Sequence, residues 1–229
     1  LRVSMTSAGL LYSVLQRDVA MNMLITEFPL PISFAAAELG TALQMPLQKA
    51  PDAQSFALVL NLSDFTMSDA IWGLFDPTGA LPRDPATLAV NLTGRAKVLF
   101  DFLDPAQAAV LEQTGAVPGE LESLSLNALE VDAAGARLTG SGEFAFDNSD
   151  LTTFDGMPKP EGGVNLTLTG GNGLLDKLVG IGLLPEDQAM GARMMMGLFA
   201  VPGDSPDTLN SRIEVNEEGH VLANGQRIR

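Results

Sequence analysis

GGNGLLDKLVGIGLLPEDQAMGARMMMGLFAVP, from Gly170 to Pro202, is the longest apolar stretch of the chain with helical spacing. Leu174, Leu175, Leu178, Val179 and Ile181 recur at intervals of three and four, which is one apolar helix face. Ala189, Met190, Arg193, Met194, Gly197 and Leu198 repeat that spacing, and Met195, Met196 and Phe199 widen the apolar surface beyond a single stripe. Pro185 has no backbone N–H, so it ends the first helix while suiting the first turn of a second. Glu186 and Asp187 then put negative charge at the positive end of that second helix. The stretch predicts a helical hairpin over about 171–200, hinged at Leu184-Pro185. A helix apolar nearly all round is either buried or faces a greasy partner, and methionine, unbranched and polarizable, adapts to irregular surfaces. Met190, Met194, Met195, Leu198 and Phe199 are therefore candidates for holding an apolar ligand between this helix and a sheet. The plainer reading is that they fill a core.

On both sides of the hairpin the chain alternates like half-buried strand. Leu1, Val3 and Met5 alternate with Arg2, Ser4 and Thr6, and Ser7-Ala8-Gly9 turns the chain into Leu10 to Leu15. Val19, Met21, Met23 and Ile25 alternate again before Phe28-Pro29-Leu30-Pro31, whose prolines are expected to break the ladder. Ile32 to Ala37, Leu43 to Leu47, Thr87 to Thr93 and Arg95 to Phe102 read as separate strands, and Phe56 to Leu62 as a central strand covered on both faces. Thr66 and Asp69 have the spacing of a capping box for a short helix carrying Ile71, Trp72, Leu74 and Phe75. Asp104-Pro105 opens another, through about Gln113. Glu120 to Asp132 and Ala136 to Phe146 form a hairpin across Ala133-Ala134-Gly135, and Ser211 to Asn216 pairs with His220 to Ala223. The fold expected is α+β and β-rich: antiparallel twisted sheet covered by short helices and one helical hairpin, in a single domain over 1–229. Strand–helix–link–strand also occurs twice, over 53–102 and 161–229, with Gly-Leu-Phe at 73–75 and 197–199; duplication and convergent turn chemistry both produce such an echo.

Composition narrows the function. The 229 residues are 46% hydrophobic and only 6% aromatic, with 23 glycines and a formal net charge of −15. Such a surface repels phosphate backbones and anionic headgroups, so no nucleic-acid partner is expected. With no cysteine, disulfides, thiol catalysis and thiolate metal sites are excluded. Apolar runs fall short of the ~18–20 residues of a spanning helix, so no transmembrane segment is expected. His220 is the only histidine and no Gly-x-Ser-x-Gly elbow accompanies it. Gly171-Asn172-Gly173 is not a dinucleotide fingerprint, because Asp176 stands where the third glycine belongs. Asp147, Asp150 and Asp155 cluster in a polar loop, where a solvated loop, a calcium site and an acid–base pair compete; the spacing matches no calcium loop. The expectation is a non-enzymatic protein with no cofactor and no metal.

Several segments carry a family likeness. They are Ser68 to Pro77, Leu81 to Leu88, Ala96 to Phe102, Phe154 to Pro158, Leu183 to Met196 and Gly219 to Gln226. Together they resemble an alphaproteobacterial envelope family known as domain of unknown function 2125, over nearly the whole chain. That resemblance implies a periplasmic location, a precursor with a signal peptide, and that this chain is the C-terminal half of a longer protein. A more distant likeness is to AsmA-like lipid-handling envelope proteins. The functions expected are binding of a lipid or other apolar ligand, or docking of envelope partner proteins in an assembly. A continuous apolar cavity of about 300 Å³ or more is the structural counterpart of the first.

Overall fold

The computed structural model describes residues 1–6, 9–25 and 28–229. Its strands are β1 (Arg2–Thr6), β2 (Gly9–Ile25), β3 (Phe28–Met45), β4 (Gln54–Met67), β5 (Ala86–Val98), β6 (Gly119–Ala133), β7 (Ala136–Asp147), β8 (Lys159–Thr169), β9 (Val201–Pro202), β10 (Thr208–Val215), β11 (Val221–Ala223) and β12 (Gln226–Arg227). The helices are α1 (Asp69–Phe75), α2 (Pro105–Thr114), α3 (Gly171–Gly180) and α4 (Glu186–Phe199). The sheet is a meander in which each strand lies beside its sequence neighbour, except that β9 falls off the path against β10. Every pairing is antiparallel. The expected β-rich α+β class, with its hairpin of helices hinged at Pro185, is what the chain forms.

Register explains why so long a sheet holds one chemistry per face. Residues directly opposite each other in an antiparallel pair point the same way. One rung therefore runs Val3, Tyr12, Leu43, Leu58, Leu92, Leu126, Gly142, Val164, Ile213, Ala223, from β1 to β11. A parallel rung runs Leu39, Leu62, Leu88, Val131, Leu138, Leu168, Leu209. The rung of opposite parity is polar or small: Gln44, Ala57, Thr93, Ser125, Glu143, Gly163, Glu214. Leu121, Leu124, Leu126, Leu129 and Val131 do not follow strict alternation, yet all five keep to the apolar face. Bulges at Asn91/Leu92, Arg95/Ala96 and Leu126/Leu129 absorb the extra residues.

The apolar face is only half covered. Accessible surface is 13742 Å², against roughly 10,000 Å² for a compact monomer of this mass. Buried apolar side chains among the described residues are few and scattered, Ala36, Leu81, Val98, Phe154 and Val215 among them, while Val3, Met5 and Leu39 are exposed on the apolar face. β4 has a strand on either side but is not buried on either face, correcting the expectation that both were covered.

Other boundaries also move. Ile32 to Ala37 and Leu43 to Met45 belong to one strand, which ends before Pro46 and Leu47, and Thr87 to Thr93 and Arg95 to Val98 belong to another, which stops short of the expected Phe102; neighbouring long strands supply continuous hydrogen-bond partners that outweigh local breakers. The prolines at 29 and 31 do not end β3; they stand where its pairing with β2 shifts register between Met23 and Ile25. Ser7 and Ala8, read as a turn, lie outside the described residues. The capping box is not formed: Ser68 is the N-cap of α1 without a side-chain cap bond, and Asp69 pairs with Arg83 instead. Asp104 does cap α2 by accepting from Ala106 N–H, and the β6–β7 turn closes with Ala134 and Gly135 both at positive φ.

Candidate functional site

On the apolar face, β3, β4 and β5 end in an apolar cleft of about 410 Å³. Leu43, Phe56, Leu58, Leu92 and Val98 form its walls, and Phe102 and Pro118 reach in from the segment joining β5 to β6. Alternation delivers the wall: Leu43, Leu58 and Leu92 belong to one rung, and Phe56 stands opposite Gly94. Gly94 has no side chain because there is no room for one; a Cβ there would strike the Phe56 ring and the Ser123 carbonyl. The ring thus lies over the neighbouring strand. The adjoining loops are tied to the strand ends by Phe102 N–H donating to Leu47 O (2.9 Å) and Leu99 N–H to Pro118 O (3.1 Å). Polar lining is almost absent, so the cleft suits a hydrocarbon chain and offers nothing to a reacting group.

A larger hollow, about 820 Å³, lies on the opposite face between β6 and β10. Ser125, Ser141, Glu143, Asn165 and Glu214 line it. Glu214 accepts from Arg212 at 2.8 Å, which holds its carboxyl below the usual range and raises the guanidinium. This is a wet, hydrogen-bonded face.

The helix-borne candidates are distributed otherwise than between helix and sheet. Ala189 is the buried residue of α4, and Phe199 is half-buried. Met190, Met194, Met195 and Leu198 are exposed and line neither cleft. The helix therefore packs through Ala189, with Met196 and Phe199 half-buried, and turns Met190, Met194, Met195 and Leu198 outward. Periodicity could not reveal this, because α4 is apolar on both sides and spacing does not say which side packs. What the sequence reading missed is the cleft itself. Its signal was the alternation in β4 and β5, which marked an apolar face without showing that it stays open.

The aspartates of the 147–155 loop hold its turns. Asp147 accepts from the hydroxyl (2.6 Å) and N–H of Ser149, and those bonds lower its pKa. Asp150 accepts from the hydroxyls and N–H groups of Thr153 and Thr152, which brings it down to about 2. Asp155 pairs with Arg229 at 3.3 Å, and that guanidinium also lies over the Phe154 ring. Asp147 and Asp150, held in the charged form by these donors, are poor general acids at neutral pH. His220 donates its backbone N–H to the Asn216 side chain beside the β10–β11 turn. No described helix is long and apolar enough to cross a membrane.

Compared with known proteins, residues 13–224 match the family model described as an uncharacterized protein conserved in bacteria (DUF2125). No curated protein and no solved structure matches the chain.

Proposed function

The chain belongs to the DUF2125 family of bacterial proteins, and on that premise we propose that it is a non-enzymatic binder of a lipid or other apolar ligand. The ligand lies along the apolar face of the open sheet and is anchored in the cleft between β3, β4 and β5. The observation that carries this reading is the unbroken apolar rung from Val3 to Ala223, which crosses about 40 Å of sheet at the usual strand spacing and remains half-exposed. Each methylene that leaves water against such a face contributes about 0.8 kcal/mol. A dozen or so of them offset the roughly 4–15 kcal/mol cost of association. Binding of this kind needs area and shape, not reactive groups. The compartment we propose is the periplasm of an alphaproteobacterial cell, following the family resemblance, where a protein that shields hydrocarbon from water has a use. AsmA-like lipid handling is the nearest functional parallel.

The test is native mass spectrometry and organic extraction of the gently purified protein. Stoichiometric lipid, lost in a Leu58→Asp, Leu92→Asp variant that stays folded, supports the proposal. A ligand-free protein that also ignores added fatty acid and phospholipid overturns it.

A second reading, a subunit docking envelope partner proteins, is favoured by the exposed Val3 and Met5 of β1, since exposed apolar side chains that share a patch mark a contact with another protein. Capture of one stoichiometric periplasmic partner, abolished by Val3→Lys, would support it; no such partner at physiological salt would dismiss it.

A further inference from the structure

We infer, on the footing of the ligand reading above, that the segment from Leu99 to Pro118, which carries α2, is a hinged flap that closes over the apolar cleft when a hydrocarbon chain lies in it. The flap is rooted at one place. Leu99 N–H donates to Pro118 O at 3.1 Å, so its two feet stand side by side where β5 ends and β6 begins. Both feet border the cleft. Val98 and Gly119, the strand residues beside them, line it, and Phe102 and Pro118 of the flap reach into it.

The two segments that rim the cleft are held differently. The connection from β3 to β4 is fastened along its length: Ala50 N–H donates to Val98 O at 3.3 Å, the Arg95 guanidinium to Ala53 O at 2.8 Å, and the Gln54 side-chain amide to Gln48 O at 2.9 Å. Pro46 and Ala53 of that connection are buried. The flap is tied to the β3–β4 connection by Phe102 N–H, which donates to Leu47 O. From Leu103 to Val117 its hydrogen bonds, among the described residues, run only within the segment. Asp104 accepts from Ala106 N–H and from the Gln107 side chain, the Thr114 hydroxyl donates to Val110 O, and Gly115 N–H donates to Leu111 O. The helix is thus a self-contained body, and no residue of it is buried; Gln107, Ala108 and Leu111 are half-buried. A segment with so few buried contacts moves at low cost. Gly115, at φ +62° with open space around it, is the hinge on the β6 side.

The composition of the flap fits a cover over hydrocarbon. From Phe102 to Pro118 it carries only two charged side chains, Asp104 and Glu112, in a chain of net charge −15. Leu103, Val110 and Val117 stand 50%, 47% and 67% exposed. Laid over the cleft, they leave water together with the ligand. The reach is sufficient: α2, with 10 residues, is about 15 Å long, while β3 and β5, the outer strands of the cleft, lie roughly 10 Å apart.

The test uses the full chain with cis-parinaric acid, a fluorescent fatty acid, as probe. Hydrogen exchange of residues 103–117 is expected to slow when the acid is added, while α1, on a connection at the opposite end of the sheet, is unchanged. Leu103→Asp, Val117→Asp alters two exposed side chains of the flap and none that lines the cleft. It is expected to release the acid about tenfold faster than the parent chain, since a lost cover acts on dissociation. Slowed exchange confined to β3, β4 and β5, or equal release from variant and parent, overturns the flap and leaves the ligand reading standing. A protein that takes up no parinaric acid overturns both. If the double variant does not fold, exchange in the parent chain decides.

Discussion

The Asp207 carboxylate accepts a 2.9 Å hydrogen bond from the backbone N–H of Gly173, tying the turn before β10 to the first turn of α3. Its other oxygen takes the N–H and side-chain amide of Asn172. The N-cap of α3 is Gly170, which has no side chain to offer, so the capping group comes from the far end of the hairpin. Asp207→Ala is therefore expected to cost about 1–2 kcal/mol, the usual loss for a missing cap, and to act locally. Hydrogen exchange should accelerate first across residues 171–199, with β4 and β5 unchanged.

Asp76, the residue that follows α1, orders the loop beyond that helix. It is fully buried and accepts from Leu81 N–H, Ala80 N–H and the Thr78 hydroxyl. Burial pushes its carboxyl upward, but those donors and the Arg83 charge prevail and leave it lowered. Burial likewise opposes the Gly173 and Asn172 donors at Asp207, with the same net direction, and Asp150 lies at about 2 through the Thr153 and Thr152 groups. A carboxylate lowered by folding lends stability that is fully present above its unfolded value, near 3.8, and is lost as pH falls through the folded value. The urea midpoint should thus hold steady from neutral pH to about pH 4.5 and then drop toward pH 2. Asp150→Asn is expected to lower the urea midpoint at pH 7 and to flatten part of that drop, the two proteins converging toward pH 2; an unaltered acid limb would refute the assignment.

Gly162 is required by its neighbours. Its φ is +140°, and a Cβ there would collide with the Glu143 carbonyl across the β7–β8 ladder. Gly162→Ala is expected to destabilise by roughly 2–4 kcal/mol, within the range for strain at a special backbone position. Urea unfolding would measure it, and Gly180→Ala, with open space around it, is the control that should be neutral or better.

Openness of the sheet is itself measurable. A compact chain of this length has a radius of gyration near 17 Å, and solution scattering from the dilute monomer should exceed it. A neutral solvatochromic dye should bind the native protein at pH 7, with Phe102→Ser lowering the signal because Phe102 reaches over the apolar cleft. Compact scattering together with no dye uptake would contradict the half-covered face.

The alternation of β4, β5 and β8, the Ala134-Gly135 turn, the Asp104 cap and the break at Pro185 were legible from residue order, because each depends on neighbours within a few positions. Local chemistry also fixed the absence of thiol and histidine-cluster chemistry. Residue order did not reveal that Leu10 to Ile25 forms one strand, that the irregular spacing from Leu121 to Val131 is reconciled by bulges, or that Met190, Met194 and Leu198 face outward. Strand length, register and the packing side of a two-sided apolar helix are settled by partners distant in sequence. Whether an apolar face is covered depends on what lies over it, and in this protein the described helices leave the Leu43–Leu58–Leu92 rung half-exposed.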